Sequence, residues 1–148
     1  MIIKRLIQRL KGVKLNAMSF RETMDLTGLP LVTLYQGDRK FNFLLDTGST
    51  DSVIDSNILS KLKHEKTDYE GTLTGLDGIV NKVSACNITF SYKDKDFPFS
   101  FLSRDMSVAF SMMKKEYGVT LHGILGANFF NTYKYVLDFA DLIAYSKQ

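Results

Sequence analysis

A bulky apolar run that stops abruptly at an acid and a glycine constrains this chain more than any other feature. Phe41-Asn42-Phe43-Leu44-Leu45 reads as a buried strand, and Asp46-Thr47-Gly48-Ser49-Thr50 follows it directly. An isolated Asp-Thr-Gly is most often a plain turn, because Asp bonds its own backbone and Gly tolerates unusual dihedrals. Here a rigid strand delivers the Asp among Thr and Ser hydroxyls and exposed backbone amides. A carboxylate held in that way is suited to acid–base work.

Far downstream, His122-Gly123-Ile124-Leu125-Gly126-Ala127-Asn128-Phe129-Phe130 repeats the arrangement: two aliphatics, a Gly, then a segment able to begin a helix. The pair Leu44-Leu45-Asp46-Thr47-Gly48 and Gly123-Ile124-Leu125-Gly126-Ala127-Asn128 resembles the two halves of a retropepsin-like aspartic protease protomer. Tyr135 to Phe139 and Leu142 to Tyr145 are similar to the last hairpin of its cellular and bacterial members. The resemblance runs from about Leu26 to Tyr145. It implies an all-β fold (mainly β with short helices), a closed β-barrel protomer with a flap hairpin.

Length decides how such a site is completed. The chain has 148 residues, a single domain by size, and no other Asp is followed by Thr-Gly or Ser-Gly. The chemistry implied by the resemblance needs two carboxylates, so a homodimer with two copies of Asp46 on the two-fold axis is expected. One Asp46 would keep a proton and the other stay charged, with a water between them. The same resemblance implies that Thr47 bonds the opposite loop across the axis. Gly48 would offer its carbonyl to the peptide main chain, and Ser49 would bond the outer oxygen of Asp46. Thr50 and Asp51 would line the cleft, Thr50 standing where family members often carry an acid.

Thr72 to Val80 places Gly75 and Gly78 around a Leu76-Asp77 tip between β-formers, which reads as a mobile hairpin. In the family that position is the flap over bound substrate; an ordinary exposed hairpin is the plainer alternative. Gly75, Leu76, Asp77, Gly78 and Ile79 are therefore candidate substrate contacts, with Val53 and Ile124 as candidate cleft walls.

The implied activity is an aspartic endopeptidase acting on an extended peptide or protein substrate, with no metal or organic cofactor. The alternative is a retropepsin-fold peptide-binding or dimerisation module with little or no turnover, because fold alone does not carry activity. Two His and one Cys are too few at ligand spacing for a zinc site. No Gly-rich phosphate cradle and no nucleophile-elbow Ser is present. His64 reads as solvated and His122 as packed.

The net charge of +3 is concentrated at one end. Lys4, Arg5, Arg9, Lys11 and Lys14 fall within the first fourteen residues with no acid, leaving 14 basic against 16 acidic residues beyond them. Ile3, Leu6, Ile7, Leu10 and Val13 recur at helical spacing opposite that charge. Residues 1–24 are thus expected to form a basic amphipathic leader and residues 25–148 the protease domain. The leader either packs on the domain or its partner, or touches an anionic membrane or an acidic protein. It lacks an apolar run long enough to span a bilayer, and charges break any signal-peptide core. No basic stripe with interleaved aromatics continues into the body, which argues against nucleic-acid binding. Cys86, the single cysteine, alternates with Ile88 and Phe90 and reads as a buried thiol. That usage points to a reducing, cytoplasmic setting, with a peripheral membrane contact through the leader as the further option.

Elsewhere the pattern predicts a hairpin over 31–45 and a return strand at Val53-Ile54. A short helix capped by Ser56 is expected over 57–63. A second hairpin joins strand 86–92 to Phe97-Pro98-Phe99-Ser100-Phe101, whose Phe residues alternate onto the core. Met106, Ala109, Phe110, Met113 and Tyr117 predict a helix with Asp105 as cap and Gly118 as stop.

Overall fold

The first turn of the barrel is set by a glycine. Gly37 adopts φ +59 between β1 (Leu31–Gln36) and β2 (Arg39–Leu45), where L side chains rarely sit, and the two strands pair antiparallel from Leu31↔Leu44 to Gln36↔Arg39. The computed structural model describes residues 20–148. The apolar spacing at Ile3 to Val13 lies outside these described residues. A short helix, α1 (Phe20–Thr27), leads in across the 24/25 boundary expected from sequence. Its Phe20 is buried against the barrel, and the buried Thr23 hydroxyl accepts from the Leu31 amide at 3.1 Å.

Five further strands complete the sheet: β3 (Val53–Asp55), β4 (Glu65–Thr74), β5 (Val80–Tyr92), β6 (Lys95–Arg104) and β7 (Gly123–Leu125). Their order is β1-β2-β7-β3-β6-β5-β4, and the pairing Tyr35↔Ser91 joins β1 to β5. Six strands therefore close into a barrel, while β4 pairs only with β5 and extends outside it. The remaining elements are α2 (Ser107–Tyr117), α3 (Ala127–Thr132) and the hairpin of β8 (Tyr135–Asp138) with β9 (Ile143–Ser146). This mainly-β barrel is the retropepsin-like architecture expected from the sequence.

Aromatic side chains fill the barrel. Phe43, Phe90 and Phe101 are fully buried, with ring centroids 5.0 Å apart for Phe43–Phe90 and 5.7 Å for Phe90–Phe101, both edge to face. Phe97, Phe99 and Phe101 share the core side as their alternation requires, Phe99 half-buried at its margin. Cys86 lies in the same cluster, and burial pushes its thiol pKa up, which suits an inert structural thiol. Pro98 opposes Thr89 at a stretch of β6 that β3 does not reach, since β3 pairs only from Leu102, so no ladder bond needs the missing amide.

A second, smaller cluster covers the other face of the sheet. Leu31, Val53, Met106, Phe110, Val119 and Leu121 form it, so α2 is the element that shields this face. Gly118 ends α2 in the left-handed conformation (φ 73) as its composition predicts. Two local expectations are corrected. Ala109 is exposed, because the buried stripe follows Met106, Phe110, Met113 and Tyr117 and leaves Ala109 off it. The short helix is a 3-10 helix over Ser56–Lys61 capped by Asp55, not Ser56: the Asp55 carboxylate accepts from Asn57 N (3.2 Å). That carboxylate also accepts from Met106 N at 3.1 Å, which ties the entry of α2 to β3. Asp105 sits one residue ahead of the helix cap, and Ser107 and Asn57, hydrogen-bonding to it, hold its pKa below the usual value.

Candidate active site

Asp46 occupies the first residue past β2, where that strand runs parallel to β7 (Leu44↔Ile124, Leu45↔Leu125). Its amide donates to Leu125 O at 2.9 Å, so the strand pairing continues to the acid itself. The loop then folds back on itself. Gly48 N donates to Asp46 Oδ1 (3.0 Å) and Ser49 N to Asp46 O (3.2 Å), fixing the carboxylate from its own turn.

The downstream turn grips this loop from below. Ala127 N donates to Ser49 O (2.7 Å) and Asn128 N to Thr50 O (3.2 Å). Between them, Gly126 N donates to the Ser52 hydroxyl (2.9 Å), which donates in turn to Asn128 Oδ1 (2.8 Å). Ser52 is fully buried, so this pair is shielded from competing water. The crossing requires glycine. A Cβ on Gly126 would sit 2.3 Å from Asp51 O and 2.7 Å from Ser49 O, both backbone atoms of the loop. Gly123 is similarly confined, with Val53 O only 2.6 Å from where its Cβ would be.

The structure brings Asp46, Thr47, Gly48, Ser49, Thr50 and Asp51 onto one rigid loop with Gly126, Ala127 and Asn128 beneath it. Asp46 and Ser49 are half-buried; Thr47, Gly48, Thr50 and Asp51 are exposed. Ser49 departs from its expected partner: its hydroxyl donates to Asp51 O (2.7 Å), not to Asp46, because the turn carries that carbonyl over the side chain. Thr50 Oγ1 lies 3.3 Å from Asp51 Oδ2. Val53 and Ile124 are cross-strand neighbours, but Val53 is 5% exposed beneath α2 and Ile124 half-buried. Gly75, Leu76, Asp77, Gly78 and Ile79 form the exposed tip of the β4–β5 hairpin. The tip is closed by Gly78 N to Gly75 O and Gly75 N to Ile79 O (both 3.0 Å), with Gly78 at φ +80.

Sequence reasoning did not single out Ser52 or Asn128, whose bond spans 76 positions and leaves no periodic trace. His122 is packed as expected. Its Nδ1 accepts from Asn42 N at 2.9 Å and its ring meets Phe41 edge-on. Burial lowers its pKa, partly offset by the nearby Asp55 carboxylate. His64 is half-buried, its Nδ1 2.9 Å from Leu62 O. No helix among the described residues is long and apolar enough to cross a membrane.

A six-stranded barrel in which an Asp-Thr-Gly loop crosses an aliphatic-aliphatic-Gly turn defines a retropepsin-like aspartic protease fold. The aspartyl protease family profile matches residues 32–129, and the chain belongs to that family. No curated protein matches the chain in sequence. Among solved structures it is similar to the EIAV protease complexed with the inhibitor HBY-793. That likeness has 22% identity and a TM-score of 0.56 over 78% of this chain and 97% of that one. It is also similar to the retroviral protease-like domain of Ddi1 from Leishmania major. There the identity is 10% and the TM-score 0.54 over 81% of this chain and 89% of that one.

Proposed function

We propose that this protein is an aspartic endopeptidase that works as a homodimer, each subunit supplying one Asp46. The observation that carries the reading is the loop: one carboxylate per chain, half-buried, hydrogen-bonded by its own turn and braced by Gly126 to Asn128. Two such loops meeting on a two-fold axis would place two carboxylates a few ångströms apart. Like charges so close do not both ionise, so the pair holds one proton. The charged Asp46 takes a proton from a water as that water attacks the scissile carbonyl, and the neutral Asp46 donates to the carbonyl oxygen. The two ionisations belong to the pair.

The neighbours fit this scheme. Thr47 is exposed, and its hydroxyl makes no hydrogen bond among the described residues, which leaves it free for the opposite loop. The β4–β5 hairpin serves as the flap. Its Leu76, Ile79 and Val80 are exposed apolar side chains able to close on a peptide lying extended as an added strand. Gly48, Thr50 and Asp51 line the floor. The barrel is the working unit, and the basic segment before it is an accessory for an anionic membrane or an acidic protein. A single buried cysteine suits a reducing compartment such as the cytoplasm.

Digestion of a peptide library by the wild type and by Asp46→Asn, across pH, tests the proposal. Cleavage is expected from the wild type alone, with an unchanged fold and dimer in the variant. Equal cleavage by both would sink the mechanism, and binding without cleavage by either would identify a peptide-binding module.

A further inference from the structure

The sheet face covered by α2 is the face from which the reactive carboxylate projects. Five strands place one residue each on a single row: Leu31↔Leu44, Leu44↔Ile124, Ile124↔Val53 and Val53↔Leu102 are successive cross-strand partners. Leu31 and Val53 are core members of the α2 cluster, and Leu44, Ile124 and Leu102 pack against it, so the whole row points towards α2. Side chains alternate along β2, so Asp46, two residues after Leu44, belongs to that same side. Two residues of strand span only about 7 Å.

Exposure within the cluster is graded. Met106, Phe110, Leu31 and Val53 are buried, whereas Met113, Tyr117, Leu44, Ile124 and Leu102 are half-buried. The helix therefore closes the deep part of the apolar face and leaves an open rim. That rim holds the two row members that lead directly into the Asp46 loop and the Gly126 turn. A Met and a Tyr stand at spacing i, i+4 across from them, one flexible and polarisable, the other apolar with a polar tip.

We infer that Met113 and Tyr117 of α2 are specificity-determining residues, forming with Ile124 and Leu44 a pocket for one large apolar side chain of the peptide beside the scissile bond. Val53 supports this pocket from beneath. The inference rests on the proteolytic reading above. It assigns selectivity on this side to a helix outside the barrel, so the pocket's size is set by α2 residues and not by the strands alone.

The test is the cleavage profile of a peptide library randomised at each position around the bond, for the wild type, Met113→Ala, Met113→Phe and Tyr117→Ala. Val108→Ala, on the solvent face of α2 with Val108 77% exposed, serves as control. Ratios of kcat/KM between two peptides on one preparation cancel any loss of folded protein, so a purely structural role would not move them. Met113→Ala is expected to raise the preference for Phe over Leu at one position by about tenfold, a size typical of a changed apolar pocket. Met113→Phe should lower it, and the other positions and Val108→Ala should stay as in the wild type. Cleavage with profiles within about twofold of the wild type in all variants overturns the inference alone. A wild type that cleaves no peptide overturns the inference together with the proteolytic reading.

Discussion

Replacing Gly126 by alanine adds one methyl group at the point where the downstream turn crosses beneath the Asp46 loop. The new Cβ would lie 2.3 Å from Asp51 O, 2.7 Å from Asp51 C and 2.7 Å from Ser49 O. None of these belongs to a flexible side chain, so the two loops must separate by about an ångström to restore ordinary contact. Overpacking of this kind costs about 1–3 kcal/mol. Separation also weakens Gly126 N to Ser52 Oγ, Ala127 N to Ser49 O and Asn128 N to Thr50 O, each worth about 0.5–1.5 kcal/mol. The expected loss is therefore about 3–5 kcal/mol, or roughly 10 °C in Tm for a domain of this size. Thermal unfolding followed by circular dichroism, with peptide cleavage on the same sample, measures both parts. Gly37→Ala is the comparison: it carries a positive φ but has no atom within 4 Å of its Cβ, so only about 1–2 kcal/mol of backbone strain applies. Gly126→Ala would refute the reasoning if its Tm lay within about 2 °C of the wild type, or if it melted no lower than Gly37→Ala.

Two further outcomes follow from the same geometry. Ser52→Ala removes a fully buried hydroxyl that accepts from Gly126 N and donates to Asn128 Oδ1. A loss of about 2–3 kcal/mol in urea unfolding is expected, and a loss below about 0.5 kcal/mol would show that this pair is not a brace. His122 has a lowered folded pKa because burial disfavours its charged form, and its Nδ1 accepts from Asn42 N only while neutral. The unfolded chain then binds the proton more readily, so its contribution is complete above the ordinary histidine value of about 6.5 and is lost as pH falls below it. Urea midpoints between pH 7 and 5 should fall less steeply in His122→Gln than in the wild type; parallel curves would assign the acid loss to other groups.

Much of the fold was legible because buried strands write themselves plainly. Phe41 to Leu45 and Gly123 to Leu125 pair side by side, and their apolar runs bounded by small residues marked both in the sequence. The alternation of Cys86, Ile88 and Phe90, and of Phe97, Phe99 and Phe101, likewise announced the hairpin they form. Contacts without periodicity stayed hidden. The barrel closes through Tyr35↔Ser91, a single pair between residues far apart in the chain, and no local pattern signals it. Ser56 was the nearest capping residue by type, yet the Asp55 carboxylate also receives the Met106 amide and wins the position. The same long-range logic hid Ser52 and Asn128, and it moved Val53 from an open wall to a covered one once α2 settled over it. Helical spacing at Met106, Phe110, Met113 and Tyr117 predicted that helix but not which sheet face it would cover.

The claim on which the account turns is that half of the reactive centre resides in each chain. The initial rate of peptide cleavage, followed as total protein is diluted through several decades, addresses it most directly. The account predicts a rate that rises with the square of protein concentration at the dilute end and becomes linear once chains are paired. A rate strictly proportional to concentration throughout, from material that light scattering shows to be single chains, would contradict it.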